Sequence, residues 1–160
     1  MMERLYVPEL LSGLTLEAGP GGLRAIRFGL GDAAEQPGPV VEETARQLRE
    51  YFGGARQAFD LPLDLVGTAF QVEVWRALMA IPFGQTASYR DIAEAVGRSK
   101  GFQAIGQANT RNPVPIVVPC HRVIQADGSI GGYGGGVDRK RLLLGLEARA
   151  TGSEMSGFLK

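Results

Sequence analysis

Cysteine and histidine are almost absent from this chain of 160 residues, which contains one of each, Cys120 and His121. A single cysteine cannot form an internal disulfide bond, and a single histidine argues against a structural zinc site. We therefore expect neither a metal ion nor a cofactor.

Long apolar runs are absent as well. No stretch of about 18 apolar residues is present that could span a bilayer. The first residues, Met1-Met2-Glu3-Arg4, do not have the pattern of a secretory signal. With 44% hydrophobic and 21% charged residues, the composition is typical of a globular protein. We expect no membrane association and a cytoplasmic location.

The formal net charge is zero, but the two halves of the chain differ. Residues 1–65 carry 10 acidic and 6 basic side chains, whereas residues 66–147 carry 6 acidic and 9 basic side chains. A basic C-terminal half suits a polyanionic partner such as nucleic acid. A surplus of three also arises by chance, so it supports this interpretation only weakly.

The N-terminal part predicts a small α/β unit over residues 1–66. Apolar and polar residues alternate over 13–18 and 23–28 around a glycine-rich turn, which indicates a β-hairpin. Apolar residues at helical spacing predict a helix over 40–52, ended by Gly53 and Gly54. A short strand over 59–63 would be an edge strand because it contains a proline.

The character of the chain changes near Thr68, where we place the start of a second domain, residues 67–148. Thr68 to Gln71 is a capping-box pattern, and Ser88 to Asp91 predicts another helix start. A third helix over 99–109 would complete the outline of a helix-turn-helix. An ordinary helical hairpin fits the same pattern.

A final helix is predicted over 137–147, with Leu142, Leu143 and Leu146 facing the core and Arg139, Lys140 and Arg141 facing solvent. Residues 149–160 would form a flexible tail. In the third helix, Phe102 is expected to face inward. A second hairpin is predicted around 126–128.

Cys120 and His121 are adjacent, in the stretch Pro119-Cys120-His121-Arg122-Val123. The thiolate is the reactive form of cysteine, and a nearby imidazole can take the thiol proton, directly or through water. A carboxylate can orient that imidazole. A lone cysteine is more often buried filler and a lone histidine more often structural, so these residues alone leave the choice open.

The same stretch resembles the active-site signature of the O6-alkylguanine-DNA alkyltransferases, also called methylated-DNA–protein-cysteine methyltransferases. The similarity continues through the upstream segment 112–118 and the downstream segment 133–136, and covers roughly residues 68–148. The N-terminal half resembles the ribonuclease H-like domain of that family in outline. The implied fold is therefore a small ribonuclease H-like α/β domain followed by a mainly helical domain with a helix-turn-helix.

The resemblance implies a DNA repair protein that moves an alkyl group from O6-alkylguanine, once and irreversibly, onto its own cysteine. The alkyl acceptor would be Cys120, with His121 as a base through water and Glu147 orienting it. Tyr89 would donate a proton to the guanine ring, and Asn112 would brace the active-site turn. The guanine would be bound by the carbonyl oxygens of Cys120 and Val123, by Tyr133 and by the backbone N–H of Gly134.

The implied partner is double-stranded DNA that contains O6-alkylguanine, with O4-alkylthymine as a further candidate substrate. A stacked base cannot reach a buried cysteine, so the nucleotide would be turned out of the duplex. DNA contacts are expected at Gln103, Ala104, Arg111 and Arg98, with the protein acting as a monomer. The family's usual arginine and serine are replaced here by Gln103 and Gly134, which puts rate and affinity in question but not the reaction.

Three alternatives remain at this point. An alkyltransferase-like protein would bind such lesions without repairing them, but proteins of that type lack the acceptor cysteine. A helix-turn-helix regulator would have no need for adjacent cysteine and histidine beside an oriented carboxylate. A cysteine hydrolase would have to turn over.

Overall fold

The computed structural model describes residues 2–31, 34–97 and 101–152. The chain forms two compact units. The first holds residues 1–66 and the short segment 113–115, and the second holds residues 67–112 and the chain from residue 116 onward. Within these described residues, no helix is long and apolar enough to cross a membrane.

The first unit contains a three-stranded antiparallel sheet in the order β1-β2-β3. Its strands are β1 (Glu3–Val7), β2 (Leu14–Gly19) and β3 (Gly22–Phe28). The predicted hairpin is confirmed as β2 and β3, whereas β1 was not predicted. The segment 59–63 contributes only a single bridge, between Leu63 and Leu23, and not a strand.

Helix α1 (Pro39–Phe52) packs against this sheet. Proline at its first position needs no N–H partner there, and the helix ends at Gly53, as predicted. The face formed by Val41, Ala45 and Leu48 is fully buried. The first unit is therefore α/β, with the helix and the sheet enclosing an apolar core.

In the second unit, two helices begin at the predicted capping boxes. Helix α2 (Ala69–Leu78) starts at Thr68, and helix α3 (Tyr89–Ala95) starts at Ser88. In both capping boxes the hydroxyl oxygen accepts from the third residue's N–H, and that residue's side chain accepts from the capping residue's own N–H. Helix α4 (Phe102–Thr110) follows α3.

The segment between α4 and Cys120 is irregular and mostly buried. Ile116 has a φ of 76°, which β-branched residues rarely adopt. Residues Cys120–Arg122 form one turn of 3-10 helix, followed by the short strand β5 (Val123–Ile124). This strand pairs in parallel with β4 (Ala87–Ser88), which immediately precedes α3.

The predicted hairpin around 126–128 is wrong, because β5 pairs with β4 rather than with the residues that follow the turn. The turn itself exists. The N–H of Gln125 donates to the carbonyl of Ser129 at 3.0 Å. The pairing of β5 with β4 brings the start of α3 next to the cysteine-bearing turn.

Helix α5 (Val137–Thr151) is longer than predicted and rotated about its axis. It ends at Gly152 in the left-handed conformation, so residues 149–151 are helical and not part of a flexible tail. Residues 153–160 lie outside the described residues. Lys140 is fully buried and Leu142 is 46% exposed, the reverse of the prediction, because the buried face runs through Lys140, Leu143, Leu144, Glu147 and Ala148.

A candidate active site around Cys120

Cys120 begins the 3-10 turn and is 4% exposed. Its N–H donates to the carbonyl of Val118 at 2.8 Å, and the N–H of Arg122 donates to the carbonyl of Pro119 at 3.0 Å. Prolines at 113, 115 and 119 prevent this stretch from joining α4 as a continuous helix. The backbone thus holds the thiol in one place inside the second unit.

His121 and Glu147 form a buried pair, as predicted. Nε2 of His121 lies 2.7 Å from Oε2 of Glu147, and both side chains are fully buried. Because a carboxylate only accepts hydrogen bonds, Nε2 carries the hydrogen and Nδ1 has the free lone pair of the neutral ring. Nδ1 has no hydrogen-bond partner among the described residues.

Glu147 is held by more than the histidine. Its Oε1 accepts from Nε of Arg122 at 2.8 Å and from the N–H of Gly84 at 3.1 Å. Its Oε2 also accepts from Arg122, at 3.1 Å. Burial alone would raise the pKa of Glu147, but the hydrogen bonds and charges of His121 and Arg122 lower it below its usual range. The carboxylate is therefore ionised.

Burial also determines the charge of the histidine. Burial disfavours the imidazolium and lowers the pKa of His121, and the hydrogen bond and charge of Glu147 oppose that shift without cancelling it. His121 is neutral at pH 7, which is the state that a proton acceptor requires.

The Cys120 thiol has three polar neighbours. Asn112, Tyr133 and the charge of Lys140 all favour its ionised form and so lower its pKa. Nδ2 of Asn112 also donates to the carbonyl of Val118 at 2.7 Å, which ties the side chain to the active-site turn. Burial raises the pKa of Cys120 to about 11, and the three neighbours only partly offset this. The thiol is thus protonated at neutral pH.

Lys140 is a buried cation beside the site. Its ammonium group donates to the carbonyl of Val123 at 2.6 Å and to that of Gly132 at 2.9 Å. Burial lowers the pKa of Lys140 to about 8. The lysine holds the residue after the 3-10 turn and the glycine-rich loop in fixed positions.

Tyr89 is the first residue of α3 and lines an open groove. Burial raises the pKa of Tyr89, and the negative charge that Cys120 can carry raises it further, while the nearby Asn109 amide partly opposes both. Tyr89 is therefore within electrostatic range of the thiol, as its expected role requires. Burial likewise raises the pKa of Tyr133 well above its usual value, and the negative charge that Cys120 can carry raises it further.

Gly134 lies against the end of α4. A Cβ atom built on it would lie 2.9 Å from the carbonyl oxygen of Thr110, which is closer than side chains approach a backbone. Any side chain at this position, serine included, would need the backbone of this protein to shift. The departure at Gly134 therefore matches the local packing.

The groove beside Tyr89 has a volume of about 610 Å³. It is bordered by α4 and the residues next to it: Phe102, Gln103, Gly106, Gln107, Thr110, Arg111 and Gln125. Of the expected DNA-contacting residues, Gln103, Ala104 and Arg111 are exposed, while Arg98 lies outside the described residues. Phe102 was expected to face inward and instead is 43% exposed, because it is the first residue of α4 and the buried face begins at Ile105.

Three residues of this cluster were missed by the sequence reasoning: Arg122, Lys140 and Asn109. Each is a polar residue with 6% exposure or less. Arg122 was visible as part of the quoted signature, but nothing in the pattern showed that it pairs with Glu147. No group of three or more possible metal-binding side chains exists among the described residues.

Comparisons with known proteins were made for the sequence and for the fold. The DNA-binding domain of 6-O-methylguanine DNA methyltransferase matches residues 69–149. The methylated-DNA–protein-cysteine methyltransferase of Mycolicibacterium paratuberculosis is 53% identical over 112 residues, which is 70% of this chain and 68% of that protein. The constitutive methylated-DNA–protein-cysteine methyltransferase of Bacillus subtilis is 51% identical over 110 residues, 68% of this chain and 67% of that one.

Two solved structures resemble nearly the whole chain. The crystal structure of Mycobacterium tuberculosis O6-methylguanine methyltransferase has a TM-score of 0.83 at 40% identity, covering 99% of each chain. The crystal structure of Mycobacterium tuberculosis OGT in complex with DNA has a TM-score of 0.81 at 40% identity and the same coverage. Both units of the present chain thus have counterparts in one known architecture.

Proposed function

This chain belongs to the 6-O-methylguanine DNA methyltransferase family, and on that premise we propose that it repairs DNA by moving the alkyl group of O6-alkylguanine onto Cys120. The observation that carries the proposal is that the only cysteine is adjacent to His121, which forms a buried pair with Glu147. The distance between Nε2 of His121 and Oε2 of Glu147 is 2.7 Å. A regulator that only reads DNA has no use for such a pair.

Activation of the thiol follows from the charges of the site. Cys120 is protonated at neutral pH, so transfer needs a base. Nδ1 of His121 has the lone pair to act as that base, and we propose that a water molecule connects it to the thiol. The ionised Glu147 stabilises the imidazolium that forms. The thiolate then attacks the alkyl carbon, and the bond from that carbon to the guanine oxygen breaks.

The guanine would be bound by groups near the thiol that take no part in its activation. Tyr89 would protonate the guanine ring as the leaving oxygen becomes a carbonyl, and Tyr133 would line the pocket. The carbonyl oxygens of Cys120 and Val123 would accept from the guanine amino group. The carbonyl oxygen of Val123 accepts from Lys140 and has a second lone pair for this purpose. The carbonyl oxygen of Cys120 already accepts from Asn109 and from the N–H of Val123, so the guanine amino group would replace or share one of these bonds.

DNA would be held by the helix-turn-helix formed by α3 and α4. The exposed side chains of Gln103, Ala104 and Arg111 line or border the groove that contains Tyr89. Such a surface can bind through phosphates without reading sequence. The target nucleotide would be turned out of the stack so that its alkyl group reaches Cys120.

Finer features of the expectation are part of the same proposal. We infer a ribonuclease H-like arrangement for the N-terminal unit, on the support of its antiparallel sheet with one packed helix. We also propose that the protein acts as a monomer in the cytoplasm, because a single consumed thiol needs reducing conditions and access to DNA.

One experiment tests the proposal directly. Excess duplex oligonucleotide containing O6-methylguanine is mixed with the protein, and the intact mass and the modified residue are determined by mass spectrometry. One methyl group per chain should appear, on Cys120, and the reaction should then stop. Cys120→Ala should bind the same DNA and transfer nothing. Turnover beyond one equivalent would contradict the proposal, and binding without transfer by the native protein would favour a lesion-binding protein instead.

A further inference from the structure

The glycine-rich loop, residues 131–136, borders the site but has almost no side chains to hold it in place. Five of its six residues are glycine, and glycine loses more conformational freedom on folding than any other residue. The first and last residues of the loop, Gly131 and Gly136, have φ angles of 73° and 95°, which glycine adopts without strain. Groups outside the loop must therefore hold its backbone.

The loop lies against two elements of the site. A Cβ atom built on Gly131 would be 3.5 Å from Cε2 of Tyr89, so the start of the loop packs beside that ring. A Cβ atom built on Gly134 would be 2.9 Å from the carbonyl oxygen of Thr110, so the middle of the loop touches the end of α4. Tyr133 lies between these two contacts. A displacement of the loop would therefore move Tyr133 and the N–H of Gly134 relative to Tyr89.

Two neighbouring cations of α5 hold the loop by its carbonyl groups. Nζ of Lys140 donates to the carbonyl oxygen of Gly132 at 2.9 Å. Nη1 of Arg139 donates to the carbonyl oxygen of Gly135, also at 2.9 Å. Hydrogen bonds from a charged donor are stronger than those between neutral groups. The loop is thus held on both sides of Tyr133.

The position of Arg139 in its helix is unfavourable on local grounds. Arg139 is the third residue of α5, where the partial positive charge of the helix N-terminus repels a cation. It was predicted to face solvent, but its side chain is half-buried. The hydrogen bond to Gly135 compensates for both effects. Contact with the loop, and not helix stability, therefore accounts for an arginine at this position.

We propose that Arg139 is a positioning residue that holds the loop as a wall of the guanine pocket, and that it thereby restricts the size of the alkyl group transferred. The inference rests on the proposed function, in which Tyr133 and the N–H of Gly134 contact the guanine. A loop held on both sides keeps these two groups in place. A loop held only by Lys140 can move away from α4, which leaves room for a bulkier alkyl group but positions the guanine less well.

Arg139→Met tests the inference, because methionine is also long and unbranched but has no donor. Single-turnover rates are measured on two duplexes that differ only in carrying O6-methylguanine or O6-benzylguanine. The rate of methyl transfer should fall on the order of tenfold, as expected for the loss of one charge-assisted hydrogen bond. The rate of benzyl transfer should fall less or rise, so the ratio of benzyl to methyl transfer should increase.

A purely structural role would give a different result. Loss of folded protein lowers both rates by the same factor and leaves their ratio unchanged. Arg139→Lys keeps a cation that can donate to Gly135, so its ratio should be close to that of the native protein. The N–H of Gly136 donates to the carbonyl of Tyr133 at 3.0 Å. It should exchange with solvent faster in Arg139→Met and at the native rate in Arg139→Lys.

Arg141→Met is the matched control. It removes an arginine from the same helix that pairs with Asp138 at the surface, at 3.6 Å, and it should leave both rates unchanged. If Arg139→Met does not fold, Arg139→Gln should give the same increase in the ratio, because its shorter amide does not reach the carbonyl of Gly135. An unchanged ratio in a folded variant, or an equal increase in Arg141→Met, would overturn the inference. Failure of the native protein to transfer from either duplex would instead contradict the proposed function.

Discussion

Glu147→Gln is the substitution that best separates the charge of the proposed His121–Glu147 relay from its shape. Glutamine has nearly the same size, so the packing of α5 is kept while the negative charge is removed. Glu147 now accepts from His121, from two nitrogens of Arg122 and from the N–H of Gly84. An amide cannot accept on both of its terminal atoms, so at least one of these interactions becomes a donor facing a donor.

The cost to stability follows from the burial of the pair. Removing one partner of a buried ion pair typically costs about 3–5 kcal/mol. For a protein of this length, each kcal/mol lowers the melting temperature by roughly 2–4 °C. We therefore expect the melting temperature of Glu147→Gln to fall by roughly 6–20 °C, with Arg122 still bound to the carbonyl of Ile81 at 2.7 Å.

The expected loss in the rate of alkyl transfer follows from the tautomer of His121. If the glutamine oxygen faces Arg122, its NH₂ group faces Nε2 of His121 and forces the ring hydrogen onto Nδ1. That nitrogen then has no lone pair with which to receive the thiol proton. A wrong tautomer reduces the rate by about 10⁴-fold in serine protease triads. With water between base and thiol, we expect a loss between about 10²-fold and 10⁴-fold.

The assay is single-turnover transfer from duplex O6-methylguanine DNA, at a temperature where circular dichroism shows that the variant is folded. Alkylation of Cys120 by iodoacetamide near pH 10 serves as the control. At that pH hydroxide ionises a fraction of the thiol without help from His121, and Glu147 is not among the groups that shift the pKa of Cys120. A folded Glu147→Gln protein with an unchanged transfer rate would refute the relay.

Three other perturbations test separate parts of the site. The pKa of His121 is lowered in the folded protein, so as the pH falls below the usual value of 6.5 the unfolded chain binds the proton first and the free energy of unfolding falls. His121 is the only histidine, so His121→Asn should flatten the free energy of unfolding between about pH 6.5 and 5.5, above the range in which the carboxylates titrate; a persistent slope in that window would contradict this. Lys140→Met should cost about 1–3 kcal/mol in denaturant titration at neutral pH, by leaving the carbonyls of Val123 and Gly132 unsatisfied; an unchanged free energy of unfolding would show that these two hydrogen bonds do not stabilise the fold. Gln103→Arg should keep or raise the rate of repair on duplex DNA, because arginine is a longer group with which to fill the gap that the extruded base leaves in the stack. The effect on free O6-methylguanine should be smaller. Slower duplex repair with normal reaction of the free base would mean that Gln103 is adapted to base extrusion.

Local signals predicted most of the regular structure. The capping boxes at Thr68 and Ser88 depend on residues only three positions apart, so their pattern is complete in the sequence. The pairing of β5 with β4 is different. It joins residues 87–88 to residues 123–124 through two residues on each side, and so short a ladder has no periodicity that a sequence can show.

The prediction of which face of α5 is buried was wrong for a related reason. Hydrophobic periodicity treats lysine as a surface residue, and that places Leu142 inside and Lys140 outside. In the structure, the buried ammonium of Lys140 donates to two backbone carbonyls, and the buried carboxylate of Glu147, seven residues later, is paired with Arg122. Satisfied partners of this kind are distant in sequence, so the buried polar face could not be predicted.

The high pKa of Cys120 fits a cysteine that is used once. Cysteines of enzymes that turn over commonly have lowered pKa values, so that the thiolate is always ready. Here burial raises the pKa to about 11, and in the proposed mechanism the neutral His121 takes the proton before the thiol attacks. A permanently ionised acceptor would also react with any stray electrophile, and each such event would consume one molecule of protein. A thiol that stays protonated until His121 takes its proton is consumed less often in this way. Its intrinsic reaction is slower, and the proposed action of the buried His121–Glu147 pair offsets that.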